Sequence, residues 1–137
     1  MKFLVLLGCV APLGACSGSG FRMADNIGPT IDGVATSTQS FSIDCAPTSV
    51  TVSARVTDPS GIGRVQLWYR IGTEQPYVPL KMPAQAGSDF RATVSGASLS
   101  PDQYGTWEFY ISAEDTLGNR STSPVNKSIQ FLPCVSH

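Results

Sequence analysis

The sequence predicts an all-β domain, and three observations carry that expectation. Apolar and polar residues alternate with period two over several runs, clearest from Ser49 to Thr57, from Gly63 to Ile71 and from Thr106 to Glu114. Clusters of Gly, Pro, Asp and Asn separate those runs, as turns between short strands require. The chain is rich in Ser, Thr, Val, Gly and Pro, and no long stretch of strong helix formers interrupts them. Its 137 residues leave room for about one domain.

Taken in order, Ile31 and Val34 are expected in a first edge strand, and Phe41 and Ile43 lead into Cys45. In the run from Ser49 to Thr57, Val50, Val52, Ala54 and Val56 share the face that belongs to the core. Asp58-Pro59-Ser60-Gly61 then makes a turn. The next strand puts Val65, Leu67, Tyr69 and Ile71 on one face and Arg64, Gln66, Trp68 and Arg70 on the other. Pro76, Pro79 and Pro83 confine any strand near Tyr77 to Met82 to a sheet edge, because proline lacks a ladder donor. Asp89 to Val94 is expected to turn Phe90, Ala92 and Val94 inward, and Leu99 to plug the following corner. From Thr106 to Glu114, Trp107, Phe109, Ile111 and Ala113 alternate with Glu108, Tyr110, Ser112 and Glu114. Asp115 to Asn119 is read as a hairpin turn, followed by a last strand from about Ser123 to Phe131 with Val125, Ile129 and Phe131 inward.

The amino terminus has a different character. Lys2 precedes an apolar run, Phe3 to Ala11, that is too short to span a bilayer and has the layout of a signal peptide. The run ends in Leu13-Gly14-Ala15-Cys16, which resembles the bacterial lipobox and so implies cleavage before Cys16 and lipid on its thiol. The expected organisation is a signal peptide over residues 1–15, a lipidated cysteine and Gly/Ser-rich tether over 16–28, and a folded domain over 29–137. Ser17 after the lipidated cysteine resembles lipoproteins sent on to an outer membrane, where the cell has two membranes. With Cys9 in the leader and Cys16 carrying lipid, Cys45 and Cys134 remain as a pair, and two thiols outside the cytoplasm are expected to bond. That bond would close a loop of about 90 residues and stabilise the domain by about 4 kcal/mol in the chain-entropy model.

Residues 50–70, VTVSARVTDPSGIGRVQLWYR, and 105–119, GTWEFYISAEDTLGN, resemble bacterial immunoglobulin-like domains. The resemblance implies an Ig-like, fibronectin-III-like antiparallel β-sandwich of about seven strands. It says little about function, since such modules serve as spacers, adhesins and parts of surface enzymes.

Charged residues are 14% of the chain and the formal net charge is -1, so no basic field is present to gather nucleic acid. Enzyme chemistry is poorly served. The only histidine is His137 at the chain end, and Glu108 and Glu114 stand about 20 Å apart on an extended strand. Asp58, Asp115 and Asn119 could attract calcium, but turn formation explains them, and zinc has no ligand set; no metal and no cofactor are expected. Pro76 to Pro79 spells PxxP, already explained by the sheet edge, and two Asn-X-Ser sequons, at Asn119 and Asn126, carry little meaning in a bacterial lipoprotein. The informative set is Trp68, Arg70, Glu108 and Tyr110. If the apolar faces point inward, these four share an outer face on neighbouring strands, and Trp, Tyr and Arg are enriched at binding hot spots. Ordinary cross-strand pairing, cover by the proline-rich segment, or an inward Trp68 compete with that reading. The function expected is a membrane-anchored envelope lipoprotein whose Ig-like module meets a protein partner. The alternatives are glycan binding with Trp68 and Tyr110 as platforms, or an accessory role to an envelope hydrolase.

Overall fold

A computed structural model describes residues 26–100 and 102–134. The expected signal peptide, the expected lipidation site Cys16, most of the expected tether and His137 lie outside the described residues. Among the described residues there are ten strands and one 3-10 turn (Gly96–Ser98). In chain order they are β1 (Thr30–Thr36), β2 (Ser40–Phe41), β3 (Ser49–Thr57), β4 (Ile62–Ile71), β5 (Val78–Lys81), β6 (Ala84–Ala86), β7 (Asp89–Ser95), β8 (Gly105–Asp115), β9 (Arg120–Thr122) and β10 (Asn126–Phe131). No helix among the described residues is long and apolar enough to cross a membrane.

The strands form two sheets: a four-stranded one in the order β1-β3-β7-β6 and a six-stranded one in the order β2-β10-β8-β4-β5, with β9 also on β8. All pairings are antiparallel except β2 with β10. The expected all-β class is therefore the observed one.

Alternation is what makes the layers. Val50, Val52, Ala54 and Val56 of β3 and Ala92 and Val94 of β7 are buried from one side, and Val65, Leu67, Trp107, Phe109, Ile111 and Ala113 from the other. Each large apolar side chain removed from water here contributes about 1.5–3 kcal/mol. Ile31, Tyr69, Phe90 and Leu99 pack at the margin of this core. The turn chemistry is as expected too: Gly61 and Gly118 both have φ 92°, the left-handed region that glycine enters without steric cost.

Two expectations about the last strand need correction. It is not continuous from Ser123, and Val125 does not face the core but is 45% exposed. Pro124 has no N–H for the ladder, so the pairing along β8 divides. β9 meets Ser112 to Glu114, and β10 resumes with Asn126 opposite Phe109 and, after an irregularity, Ile129 opposite Trp107. The N-terminal edge is likewise divided: β1 pairs with β3 in one sheet, whereas β2 crosses to β10 in the other.

Cys45 and Cys134 are bonded, with S–S 1.95 Å and Cα–Cα 5.5 Å across a separation of 89 residues. The bridge joins the segment between β2 and β3 to the chain just beyond β10. It lies at the end of the sandwich where β4 terminates and β8 begins.

Candidate functional site

The outer face of the six-stranded sheet is a ladder of direct cross-strand pairs between β4 and β8. The register sets Arg64 against Glu114, Gln66 against Ser112, Trp68 against Tyr110 and Arg70 against Glu108. Trp68, Arg70, Glu108 and Tyr110 are thus brought together on one face. Arg64 and Glu114 form an exposed ion pair at 3.0 Å at the top of the ladder.

Below it the face becomes aromatic. The rings of Trp68 and Tyr110 lie 6.1 Å apart and within 6° of parallel, and the indole N–H of Trp68 donates to Ser112 Oγ at 2.8 Å. Trp68 is opposite Pro79 of β5 on its other flank. Met82 N–H donates to Val65 C=O at 2.9 Å, so the ladder bonds fall on the 65, 67, 69 series of β4. Pro79 therefore sits where its missing donor faces the open edge, as a proline in an edge strand must. Both rings are half-buried, which combines cross-strand pairing with cover from the proline-rich segment.

Glu108 departs from expectation. Its side chain is on the outer face but only 2% of the residue is exposed, so it cannot be a contact residue. Burying a carboxylate demands partners, and it has two hydrogen bonds and an ion pair. Arg70 donates from Nε (3.1 Å) and the Tyr77 hydroxyl donates at 2.7 Å, both to Glu108 Oε1, and Arg70 Nη2 completes an ion pair with the same oxygen at 3.0 Å. The Tyr77 hydrogen bond is the main reason its carboxyl is held below the usual range; burial opposes that, and the hydrogen bond and charge of Arg70 reinforce it. Tyr77 shifts the other way, raised by burial and by the neighbouring carboxylate.

Arg70 is equally committed. Its Nη1 donates to the carbonyls of Thr73 (3.2 Å) and Gln75 (3.3 Å), and its guanidinium lies 4.2 Å from the centre of the Tyr77 ring. Tyr77 in turn meets Tyr110 edge-on at 4.9 Å. Arg70 and Glu108 thus brace the segment after β4 down onto the sheet and fix a triad of rings: Trp68, Tyr110 and Tyr77. Sequence reasoning singled out the first two and missed Tyr77. Its signal was a lone aromatic between Pro76 and Pro79, in a segment recognised as cover.

The turn carboxylates are occupied by turn bonds. Asp58 accepts from Ser60 N–H at 3.0 Å, and Asp115 accepts from the backbone N–H groups of Leu117 (2.9 Å) and Asn119 (2.8 Å) and the Asn119 amide (2.9 Å). Burial alone would raise the Asp115 carboxyl, but these bonds, with one from Ser60, outweigh it and leave it below its ordinary value. The one group of potential metal ligands among the described residues, Asp44 with Cys45 and Cys134, holds two sulfurs already bonded to each other. No protein-family model matches the chain, and no curated protein matches it.

Proposed function

We propose that this chain is an exported, lipid-anchored cell-envelope protein whose sandwich is an immunoglobulin-like module presenting the β4-β8 face to a protein partner. The strand order supports the Ig-like reading: an edge strand divided between the sheets, with four strands on one side and a β10-β8-β4-β5 series on the other, is how variable-type Ig domains are wired. The disulfide suits an oxidising compartment, and the lipobox-like Leu13-Gly14-Ala15-Cys16 supports anchoring there.

One observation carries the choice of face: the braced triad of Trp68, Tyr110 and Tyr77. A buried ion pair is weak evidence for stability, because apolar residues of similar volume do as well. What Arg70 and Glu108 add is fixed geometry, and rings fixed before an encounter lose little entropy on binding. The outer face of β3 and β7, by contrast, carries small or simply charged residues such as Thr51, Ser53, Arg55, Arg91 and Thr93, joined only in separate pairs such as Thr51 with Thr93 (2.8 Å) and Arg91 with Asp89 (3.0 Å), and among the described residues it has no cluster of rings. A glycan platform on the sheet is less well served, since Tyr110 spends its ring contacts on Trp68 and Tyr77.

Affinity recovery from solubilised envelope, with the full-length chain as bait, tests this. A specific protein should be recovered by the wild type, and its yield should fall about tenfold with the Trp68→Ala, Tyr110→Ala double variant, as loss of hot-spot residues implies. Undiminished recovery by a folded double variant would remove the partner from this face. Recovery of nothing would leave a passive spacer.

A further inference from the structure

We propose that the domain also carries a saccharide-binding groove at its disulfide end, between the segment following β4 and the segment leading into β8. Two hollows of about 290 and 140 Å³ share Ile71, Gln75 and Gln103 and so form one continuous groove. That is the size at which small-ligand sites begin. Thr73, Glu74 and Gln75 make one wall, Gln103 and Tyr104 the other, and Ile71 with Tyr69 the floor.

The walls are held in place by bonds that leave their side chains free. Arg70 takes the carbonyls of Thr73 and Gln75, Gly72 N–H donates to Thr106 C=O at 3.0 Å, and Gln103 N–H donates to Ser100 C=O at 3.2 Å. Tyr104 is 40% exposed yet backed by Phe131, ring centres 5.2 Å apart and 25° from parallel. Among the described residues, the side chains of Thr73, Glu74, Gln75 and Gln103 have no hydrogen-bond partner. The groove therefore presents two amides, a hydroxyl and a carboxylate beside one supported ring.

That combination matches a sugar. Each amide offers a donor and an acceptor, the pair that adjacent ring hydroxyls need, and an aromatic face suits the C–H face of a pyranose. Among the described residues that line the groove, Glu74 is the one charge not already paired, because Arg70 is engaged by Glu108, so acidic sugars and phosphates are disfavoured and a neutral or amino saccharide is favoured. An extended peptide is a poorer fit: it would need main-chain groups, and the Gly72 N–H and the Thr73 and Gln75 carbonyls are already taken. Position agrees as well. Thr30 pairs with Thr57 at the opposite end of the sandwich, so the chain enters the domain far from the groove. On the lipid-anchor reading above, this end points away from the membrane; binding itself does not depend on that reading.

The test is saturation-transfer NMR of the full-length chain in a detergent without sugar, against chitotetraose, cellotetraose and maltotetraose, with decaproline as a peptide control. At least one saccharide should bind with a Kd of about 1 mM or tighter. Gln75→Ala and Gln103→Ala should each weaken it about fivefold, the worth of one hydrogen bond. Tyr104→Ala should abolish binding while Tyr104→Phe, which keeps the packing on Phe131, retains it. The Trp68→Ala, Tyr110→Ala variant should bind saccharide as the wild type does, which separates this groove from the protein-contact face. Binding of none of the three saccharides, binding of decaproline instead, or loss confined to the Trp68, Tyr110 variant would each overturn the proposal.

Discussion

Glu108 and Arg70 show at the level of single side chains why a charge can be buried on the outer face of a sheet. The Arg70 guanidinium keeps 21% of its side-chain surface exposed while Glu108 keeps 3%, so the acid bears most of the desolvation and depends on its partners. Its folded pKa lies below the ordinary value, so the pair's contribution is fully present above the unfolded value of about 4.3 and is lost as pH falls through the folded one. Glu108→Gln keeps the shape and an acceptor but removes the charge. We expect it to cost about 1 kcal/mol at neutral pH, discounted for the solvent that reaches Arg70. That cost should shrink toward zero in acid, where the wild-type carboxyl is protonated as well. Urea unfolding of both proteins at pH 7, 5 and 3 reads the difference directly, and a penalty unchanged by pH would mean that shape, not charge, is at stake. The alternation of Trp68, Arg70, Glu108 and Tyr110 made their common face legible in the sequence. The burial of Glu108 was not legible, because it depends on a tyrosine thirty-one residues away in a loop whose path no periodicity describes.

Among the elements, legibility follows the same division. β3, β4, β7 and β8 are long, have one wet and one dry face, and could be read from alternation almost to the residue. β2, β6 and β9 have two or three residues each, too few to show a period, and exist because neighbouring strands offer unpaired edges. The end of the chain misled because Val125 fits the alternation, whereas the missing donor of Pro124 decides the pairing. Turns were legible for a chemical reason. Asp115 at the head of Asp115-Thr116-Leu117-Gly118-Asn119 both closes the turn and anchors β9, since Asp115 N–H donates to Asn119 C=O at 2.9 Å while its carboxylate receives the amides of Leu117 and Asn119. Asp115→Ala should therefore free those two amides without disturbing the core. Hydrogen exchange should accelerate at Leu117 and Asn119 and remain slow along β3; equal protection in wild type and variant would show that the backbone holds this turn unaided.

The whole domain has two unlike ends. At one, the incoming chain lies tightly on β9: a Cβ at Gly28 would come within 2.4 Å of Ser121 Oγ and 2.6 Å of the Arg120 carbonyl oxygen, so only glycine permits that close approach. At the other, the Cys45–Cys134 bond secures β2, whose two residues could not hold a sheet edge alone. What β2 carries is Phe41, fully buried with its ring 5.7 Å from Trp107 and 5.1 Å from Phe131. The bond thus does more than shorten the unfolded chain. It keeps in place the side chain that closes this end of the core, beneath the groove wall formed by Tyr104. Closing a loop of this length is worth about 4 kcal/mol in the chain-entropy model, a large share of the 5–15 kcal/mol that holds a domain together. Cys45→Ser with Cys134→Ser should lower unfolding free energy by about that amount. The loss should also be local before it is global. Amides of Gln130 and Leu132, which donate to Gln39 and Phe41 carbonyls at 3.0 Å, should lose exchange protection under conditions where β3 and β7 remain closed. Uniform acceleration throughout the domain would instead assign the bond a purely unfolded-state role, and unchanged stability would show that β2 and Phe41 are held by packing alone.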